Sequence, residues 1–206
     1  MDETNNIKKK YDRLASFRDL IEYPLEKIFY SKWRKDILNN LKGKILDAGV
    51  GSGKNLQYYS PDAEVTGIDI SDKFMERARR RAKQLGRKYE FVQMDAQHLT
   101  FQENSFDYAV TTHLLCSVPN PVAVLREMKR VVKKRGKIIM IEHGLNKNKI
   151  IAFIENLVNP IIFWLLGFNI NRNTRKNIEI SGLKIIEDKR LSTKDIFANR
   201  KFVCIK

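Results

Sequence analysis

The chain has 206 residues, of which 43% are hydrophobic and 31% are charged, so it is long enough for one soluble domain with a substantial core. A formal charge of +15 indicates an anionic partner, such as nucleic acid or an acidic membrane surface, unless it only keeps a lysine-rich surface solvated. Two cysteines, Cys116 and Cys204, have no CxxC spacing, which argues against a disulfide scaffold or a zinc site. Because no apolar signal core is visible near the N-terminus, we expect a cytoplasmic protein.

Residues 1–42 form a charged amphipathic segment for which we predict two helices. Apolar residues recur from Ile7 to Ile21 at the spacing of one helix face, and lysines and arginines fill much of the rest. We expect the second helix to follow Pro24, because proline fits the first turn of a helix. A basic helix with apolar and aromatic residues can lie on an anionic membrane. It can also pack on its own domain, as a lid.

After this segment, short apolar strands alternate with amphipathic helices. Strands are predicted at residues 45–46, 64–70, 89–94, 106–112 and 137–142, with a closing pair at 183–191 and 201–205. The closing pair suits an antiparallel hairpin at the sheet edge. The alternation predicts one α/β domain, residues 1–206, built on a doubly wound, mostly parallel sheet.

Two of the intervening helices have clear boundaries. One follows Ser71, which can cap it, and ends near Gly86. The other begins at Asn120 with Pro121 in its first turn, and we expect the basic run before Gly136 to end it. Both therefore fit as connections between parallel strands.

The segment from 146 to 182 departs from this rhythm, because residues 150–170 are strongly apolar. We predict a helical insertion on the substrate side of the domain. Four polar or helix-breaking residues make a membrane-spanning helix a poor fit: Glu155, Asn156, Asn159 and Pro160. The insertion can cover a substrate pocket, or it can form an interfacial patch beside the N-terminal helix.

The first predicted strand runs into a glycine-rich loop. The stretch from Lys44 to Gly53 contains an acid, Asp47, and glycines at alternate positions: Gly49, Gly51 and Gly53. Such glycines let the backbone turn tightly and approach a ligand. A dinucleotide fingerprint requires a glycine at position 54, where this chain has Lys54. The chain also lacks the GxxxxGK[ST] motif of P-loop enzymes, and a helix is predicted to begin near Asn55.

Three acids stand at the ends of three successive strands, namely Asp47, Asp69 and Asp95. In an open parallel sheet these ends share one crevice. Asp69 can accept hydrogen bonds from both hydroxyls of a ribose, and Asp95 can accept one from an adenine amine. Asp47 can favour an ammonium group, directly or through water. S-adenosylmethionine carries all three groups, so we predict it as the cofactor, with no metal.

Four segments carry a resemblance to a known family: Leu-Asp-Ala-Gly-Val-Gly-Ser-Gly, Gly-Ile-Asp-Ile-Ser, Met-Asp-Ala and Phe-Asp-Tyr-Ala-Val. With them, residues 43–143 resemble the core of the class I S-adenosylmethionine-dependent methyltransferases. The resemblance implies a Rossmann-like, seven-stranded, mostly parallel sheet with an antiparallel C-terminal hairpin. It implies these cofactor-binding residues: Tyr11, Asp47, Gly49, Gly51, Gly53, Asp69, Ile70, Met94, Asp95, Ala96 and Thr111.

Shorter stretches resemble particular groups within the family. The sequence Tyr-Asp-Arg-Leu-Ala at residues 11–15 is similar to an element of quinone-biosynthesis methyltransferases and bacterial phosphatidylethanolamine N-methyltransferases, where the tyrosine often covers the cofactor. Residues 115–119 and the pair Glu142-His143 are similar to membrane-associated thiol methyltransferases. All three groups act on amphiphilic or membrane-delivered acceptors.

The catalytic candidates follow from the chemistry of methyl transfer. A sulfonium already activates the methyl group, so the protein has to align the acceptor, exclude water and remove a proton. The resemblance places the loop after the fourth strand beside the transferred methyl, which makes His113 the candidate base. Tyr11 and Tyr23 are candidates for orienting the acceptor or closing a lid.

We expect the acceptor to be a phospholipid amine, modified by an enzyme peripheral on the inner face of the membrane. A quinone precursor or a small thiol is the alternative. RNA is less favoured, because the chain has no recognisable RNA-binding module and no Asn-Pro-Pro-Tyr-type motif after the fourth strand. A cofactor-binding regulatory protein without turnover is the non-enzyme alternative. The sequence sets no oligomeric state.

Overall fold

The computed structural model describes residues 3–146, 148–192 and 198–206. Its centre is a seven-stranded sheet in the order β3-β2-β1-β4-β5-β7-β6. The strands are β1 (Gly43–Ala48), β2 (Ala63–Asp69), β3 (Glu90–Gln93), β4 (Phe106–Thr112), β5 (Val132–Glu142), β6 (Lys184–Arg190) and β7 (Arg200–Ile205). The first five strands pair in parallel, and β7 is antiparallel to both β5 and β6. This confirms the predicted doubly wound sheet with its antiparallel C-terminal hairpin.

Helices cover both faces of the sheet. They are α1 (Glu3–Leu25), α2 (Ser31–Leu38), α3 (Asp72–Gln84), α4 (Pro121–Val131), α5 (Lys149–Leu166) and α6 (Thr174–Ile180), with a π-helical turn at Glu26–Tyr30 and a 3₁₀ turn at Leu56–Tyr58. The side chain of Ser71 accepts from the Phe74 amide at 3.2 Å, and that of Asn120 accepts from the Ala123 amide at 3.0 Å. The predicted caps of α3 and α4 are therefore present.

The core consists of two layers that meet at the sheet. Successive residues of a strand point to opposite faces, and β1 shows this directly: Leu46 packs in the layer of α4 and α6, whereas Ile45 packs in the layer of α2 and α3. Both side chains are fully buried. Because the side chains of β1 pack into both layers, the glycine loop at the end of β1 lies between them.

The structure corrects two predicted helix starts in the first 60 residues. Pro24 lies in the last turn of α1 rather than at the start of a second helix. The missing amide hydrogen of proline weakens that turn, and the chain passes through a π-helical turn before α2 begins at Ser31. The helix expected near Asn55 is only the 3₁₀ turn. Most of the connection between β1 and β2 is therefore loop.

Gly136 has a different role from the one predicted, because α4 already ends at Val131. Residues 132–136 form the bulged beginning of β5, where the pairing with β4 shifts register. A Cβ at Gly136 would lie 2.5 Å from the carbonyl oxygen of Asp107, so only glycine allows this close approach. Lys133 binds the Asp107 carboxylate at 2.7 Å on the same bulge.

Candidate cofactor and active site

One pocket opens where β1, β2 and β4 end, at the point where the strand order reverses between β1 and β4. Its empty volume is about 1020 Å³, which includes open solvent at the mouth. Most predicted site residues line it: Tyr11, Gly49, Gly51, Asp69, Ile70, Met94, Asp95, Ala96 and His113.

Asp69 holds the glycine loop against the end of β2. One oxygen of its carboxylate accepts from the Gly51 amide at 3.0 Å, and the other accepts from the Ser71 amide at 2.9 Å. Gly51 has a φ of +54°, and a Cβ there would meet no atom closer than 4.0 Å, so the backbone is open to a ligand on that side. The loop therefore exposes its backbone next to the Asp69 carboxylate.

Gly53 differs from the other two glycines because it packs on a helix. Its φ is +80°, and a Cβ would lie 2.7 Å from Leu56 and 3.1 Å from the Ala78 backbone of α3. Gly53 therefore brings the loop close to α3, and it does not line the pocket. This is the packing role that a dinucleotide fingerprint assigns to a glycine one position later.

Asp47 lies fully buried, one layer behind the pocket wall. The side-chain amide of Asn55 donates to both Asp47 oxygens at 3.1 Å, and Asn55 lines the pocket. Burial raises the pKa of Asp47 to about 7, although the Asn55 hydrogen bond and the charge of Arg34 act in the opposite direction. Asp47 can thus change its charge near neutral pH when a cation enters the pocket.

Arg34 extends this network to the N-terminal segment. It is buried and lines the pocket. Its Nε donates to the Asn55 side-chain oxygen at 2.9 Å, and its guanidinium pairs with Glu26. The amide and the guanidinium therefore sit together at the end of the pocket nearest β1.

The end of β3 forms another wall of the pocket. Asp95 accepts from the backbone amide of Gln97 at 2.9 Å and from its side-chain amide at 3.0 Å. The Gln97 side-chain oxygen accepts from the Asn120 amide at 2.9 Å. Gln97 therefore fixes the Asp95 carboxylate and the start of α4 relative to each other.

The N-terminal part of α1 forms part of the pocket lining. Ile7 and Tyr11 line the pocket, and the Tyr11 hydroxyl is hydrogen-bonded to the Ser117 hydroxyl. The Tyr11 ring packs edge-on against Phe74, with 6.1 Å between ring centroids. Lys8 binds Asp72 at 2.7 Å, which ties α1 to the start of α3. These contacts hold the N-terminal part of α1 against the pocket, and its action as a lid stays a prediction.

His113 follows β4 in a strained backbone conformation, with a φ of +55°. Its backbone amide donates to the Ile141 carbonyl at 2.9 Å. Its Nε2 is 2.7 Å from the side-chain oxygen of Asn199, which can only accept, so Nε2 carries the proton in this arrangement. A base role for His113 would therefore use Nδ1. The Tyr30 ring lies 5.0 Å from the imidazole.

Besides Asp47 and Gly53, one more predicted site residue, Thr111, lies outside the pocket wall that the structure describes. Thr111 is fully buried, and its hydroxyl donates to Glu142 at 3.1 Å. Its neighbour Thr112 lines the pocket instead, because successive side chains of a strand point to opposite faces. The side chain of Tyr23 lies outside the described residues.

Several lining residues were missed from the sequence, although two had a usable signal. Gln97 stands two residues after Asp95, the spacing at which an aspartate accepts from the backbone amide of a turn. Asn55 belongs to the glycine loop itself. Ser117 belongs to the loop after β4, which the family resemblance placed beside the transferred methyl, although Ser117 itself was not named as a site residue. Arg34 gave no local signal, since it reaches the pocket only through the packing of α2.

These residues fit S-adenosylmethionine group by group. A ribose would find the Asp69 carboxylate, and an adenine would find Asp95, with the apolar side chains of Ile70 and Ala96 in the same pocket lining. The amino-acid portion carries an ammonium and a carboxylate. Asn55, with Asp47 behind it, suits the ammonium, and the Arg34 guanidinium suits the carboxylate.

Comparison with known proteins also supports S-adenosylmethionine as the cofactor. A family model described as a methyltransferase domain matches residues 46–140. The phosphatidylethanolamine N-methyltransferase of Cereibacter sphaeroides is 30% identical over 207 residues, which cover 97% of this chain and 98% of that protein. A demethylmenaquinone methyltransferase of Staphylococcus aureus is 35% identical over 145 residues, which cover 66% of this chain and 57% of that protein.

A solved structure is similar as well. The S-adenosylmethionine-dependent methyltransferase of Methanosarcina mazei superposes with a TM-score of 0.64 at 27% identity, covering 79% of this chain and 92% of that one. The strand order, the pocket at the carboxyl ends of the strands and these relatives agree on S-adenosylmethionine as the methyl donor. The chain belongs to the class I S-adenosylmethionine-dependent methyltransferases.

Proposed function

We propose that this methyltransferase transfers the methyl group to the amine of a phospholipid headgroup, as in phosphatidylethanolamine N-methylation. The observation that carries the proposal is the extent of the Cereibacter match, which covers 97% of the chain. It therefore includes most of the flanking residues 1–42 and 146–182, which lie outside the cofactor core. The net charge of +15 fits an enzyme that works at an anionic membrane surface on the inner face of the membrane.

Methyl transfer requires little of the protein beyond positioning the cofactor and the acceptor. When bound, the cofactor supplies a methyl group already activated by its sulfonium. The chain has to hold the amine in line with that methyl, keep water out and accept one proton from the amine. His113 stands at the pocket edge for the proton, and Tyr11 on α1 closes the mouth. Neither role needs a metal ion.

A second candidate acceptor is a quinone precursor, which the staphylococcal match supports over 66% of the chain. A small thiol would use the same pocket. A cofactor-binding protein without turnover would keep the same site but transfer no methyl group. RNA fits less well, because the basic charge is the only feature of the chain that points to it.

The test is methyl transfer from radiolabelled S-adenosylmethionine into a total lipid extract, followed by chromatography of the product. We expect the label in a phospholipid that migrates with N-methylated phosphatidylethanolamine. Label in the quinone fraction, or in an added thiol alone, would replace the proposed acceptor. If calorimetry shows that the cofactor binds but no methyl group is transferred to lipid, quinone or thiol, the chain is a cofactor-binding protein without turnover.

Tyr11 offers a separate test of the lid. Tyr11→Phe loses the hydrogen bond to Ser117 but keeps the ring against Phe74. Tyr11→Ala loses both. If α1 closes over the bound cofactor, we expect Tyr11→Ala to raise the dissociation constant for S-adenosylmethionine about tenfold or more, and Tyr11→Phe to raise it about threefold. Calorimetry gives both values, and equal affinity in all three proteins would remove Tyr11 from the cofactor site.

A further inference from the structure

The outer side of α5 carries a continuous apolar stripe. Seven large apolar side chains are spaced along α5 at intervals of mostly three or four residues. This spacing puts them on one side of the helix. We call them the outer stripe: Ile150, Phe153, Ile154, Leu157, Ile161, Trp164 and Leu165. Each is between 47% and 72% exposed, and no residue of α5 is buried. A contiguous patch of this kind marks an interaction surface rather than scattered exposed residues.

The polar side of α5 faces the protein, which is the reverse of an ordinary amphipathic surface helix. Glu155 accepts from the Asn146 amide at 2.9 Å, and Asn156 accepts from the Asn171 side chain at 2.8 Å. Asn159 accepts from the Ile170 amide at 2.8 Å and donates to the Asn169 side chain at 3.0 Å. These bonds fix the rotation of α5 about its axis and hold the outer stripe outward.

The surroundings of α5 are basic. Lys149 begins the helix, and Lys10 of α1 donates to the Phe163 carbonyl at 3.1 Å with its ammonium 5.1 Å from the Phe163 ring centroid. Lys9 and Arg13, which are on the same helix as Lys10, are exposed to solvent. The one acid within α5, Glu155, is bonded toward the protein. An apolar stripe bordered by cations complements an anionic lipid surface.

We propose that the outer stripe docks this protein on an anionic membrane. In this arrangement α5 lies in the plane of the interface, with the stripe among the acyl chains and the neighbouring lysines among the headgroups. Among the described residues, α5 is also the helix whose length and composition would allow it to cross a membrane. The inward hydrogen bonds of its central polar residues, next to Pro160, fit the interfacial position instead.

The docking surface is linked to the pocket. The segment after α5 holds the loop that follows β4, since the Asn169 amide donates to the Cys116 carbonyl at 2.8 Å. The next residue in that loop, Ser117, lines the pocket and bonds Tyr11. Docking would therefore bring the pocket mouth to the lipid surface. This link to acceptor delivery rests on the proposed phospholipid acceptor, whereas vesicle binding itself does not.

The test uses the full chain and vesicles of phosphatidylcholine with or without phosphatidylglycerol, at low salt. We expect sedimentation with the anionic vesicles and at least a tenfold loss of binding in the double variant Phe153→Ser with Trp164→Ser. The control is Ile180→Ser with Ile186→Ser, which changes two half-exposed apolar residues outside α5 and should bind like the wild type. The fluorescence of Trp164 should shift to the blue with vesicles, because Trp33, the other tryptophan, is already buried.

Three outcomes would overturn the docking proposal. One is equal vesicle binding by the wild type and the stripe variant, and another is no binding by either. The third is concentration-dependent dimerisation that the stripe variant abolishes without any vesicle binding, which would make the stripe a contact between copies. A short-chain phospholipid dissolved as monomer separates the two proposals. Methylation of it without vesicle binding removes only docking, whereas vesicle binding without any lipid methylation removes only the acceptor.

Discussion

Replacing Asp69 by alanine is expected to weaken S-adenosylmethionine binding by about 1–3 kcal/mol, or roughly 5- to 150-fold. Two losses add up in this variant. The ribose hydroxyls of the cofactor lose the carboxylate that accepts from them, and the Gly51 amide loses its acceptor at 3.0 Å. The glycine loop would then no longer be held in the shape that leaves its backbone open to the ligand.

Calorimetric titration of the folded variant measures this effect. The matched control is Asp62→Ala, which removes an exposed acid that pairs with Lys42 at 3.3 Å outside the pocket, and it should bind the cofactor like the wild type. Asp69→Asn keeps one acceptor oxygen and should fall between the two. An unchanged dissociation constant in Asp69→Ala, with an unchanged melting temperature, would remove Asp69 from the cofactor site.

The meeting of Asp69 and Asp95 at one pocket was predictable because it depends on local sequence and on one general rule. Each acid follows an apolar strand directly, and the carboxyl ends of parallel strands meet at one edge of the sheet. Asp69 and Asp95 therefore had to come together once the strands were recognised. The mostly parallel sheet followed from the same alternation, and an antiparallel C-terminal hairpin was expected at its edge, but the position of β7 between β5 and β6 was not predicted.

Two kinds of detail could not be predicted. One is the direction of a side chain near the end of a strand, because a shift of one position in the sequence moves the side chain to the other face of the sheet. Thr111 and Thr112 show this difference. The other is the set of contacts that flanking helices bring to the site. Arg34 reaches Asn55 only because α2 packs on the layer of α3. The outward rotation of α5 is set by hydrogen bonds to Asn169 and Asn171, which lie beyond it in the chain.

The second large effect concerns stability, and it comes from Glu142 at the end of β5. The side chain is fully buried, and its Oε1 accepts from the Leu114 amide at 2.9 Å, the Leu115 amide at 3.2 Å and the Thr111 hydroxyl at 3.1 Å. Within the described part of the chain, Oε2 has no hydrogen-bond partner. Burial and the nearby Cys116 raise the pKa of Glu142 to about 8, while His143 and the two backbone amides act against this.

A raised carboxyl pKa makes the folded protein bind a proton that the unfolded chain releases. The ordinary pKa is 4.5, so between pH 4.5 and about 8 the native state is protonated and the unfolded state is ionised. The free energy of unfolding therefore decreases as pH rises through this window, by up to about 1.4 kcal/mol for each pH unit. Above pH 8 both states are ionised and this contribution is constant.

Glu142→Gln should remove this pH dependence. The amide oxygen of glutamine can take the same three hydrogen bonds, and the side chain stays neutral at every pH. We expect the stability of the variant relative to the wild type to increase steadily from pH 5 to pH 8 in urea unfolding, and then to level off. Asp47 also has a raised pKa, of about 7, but it contributes equally to both proteins and cancels in the difference. Parallel stability curves for the two proteins would mean that Glu142 is ionised in the native state. The two amides of the loop that carries His113 would then be bound by a charged carboxylate.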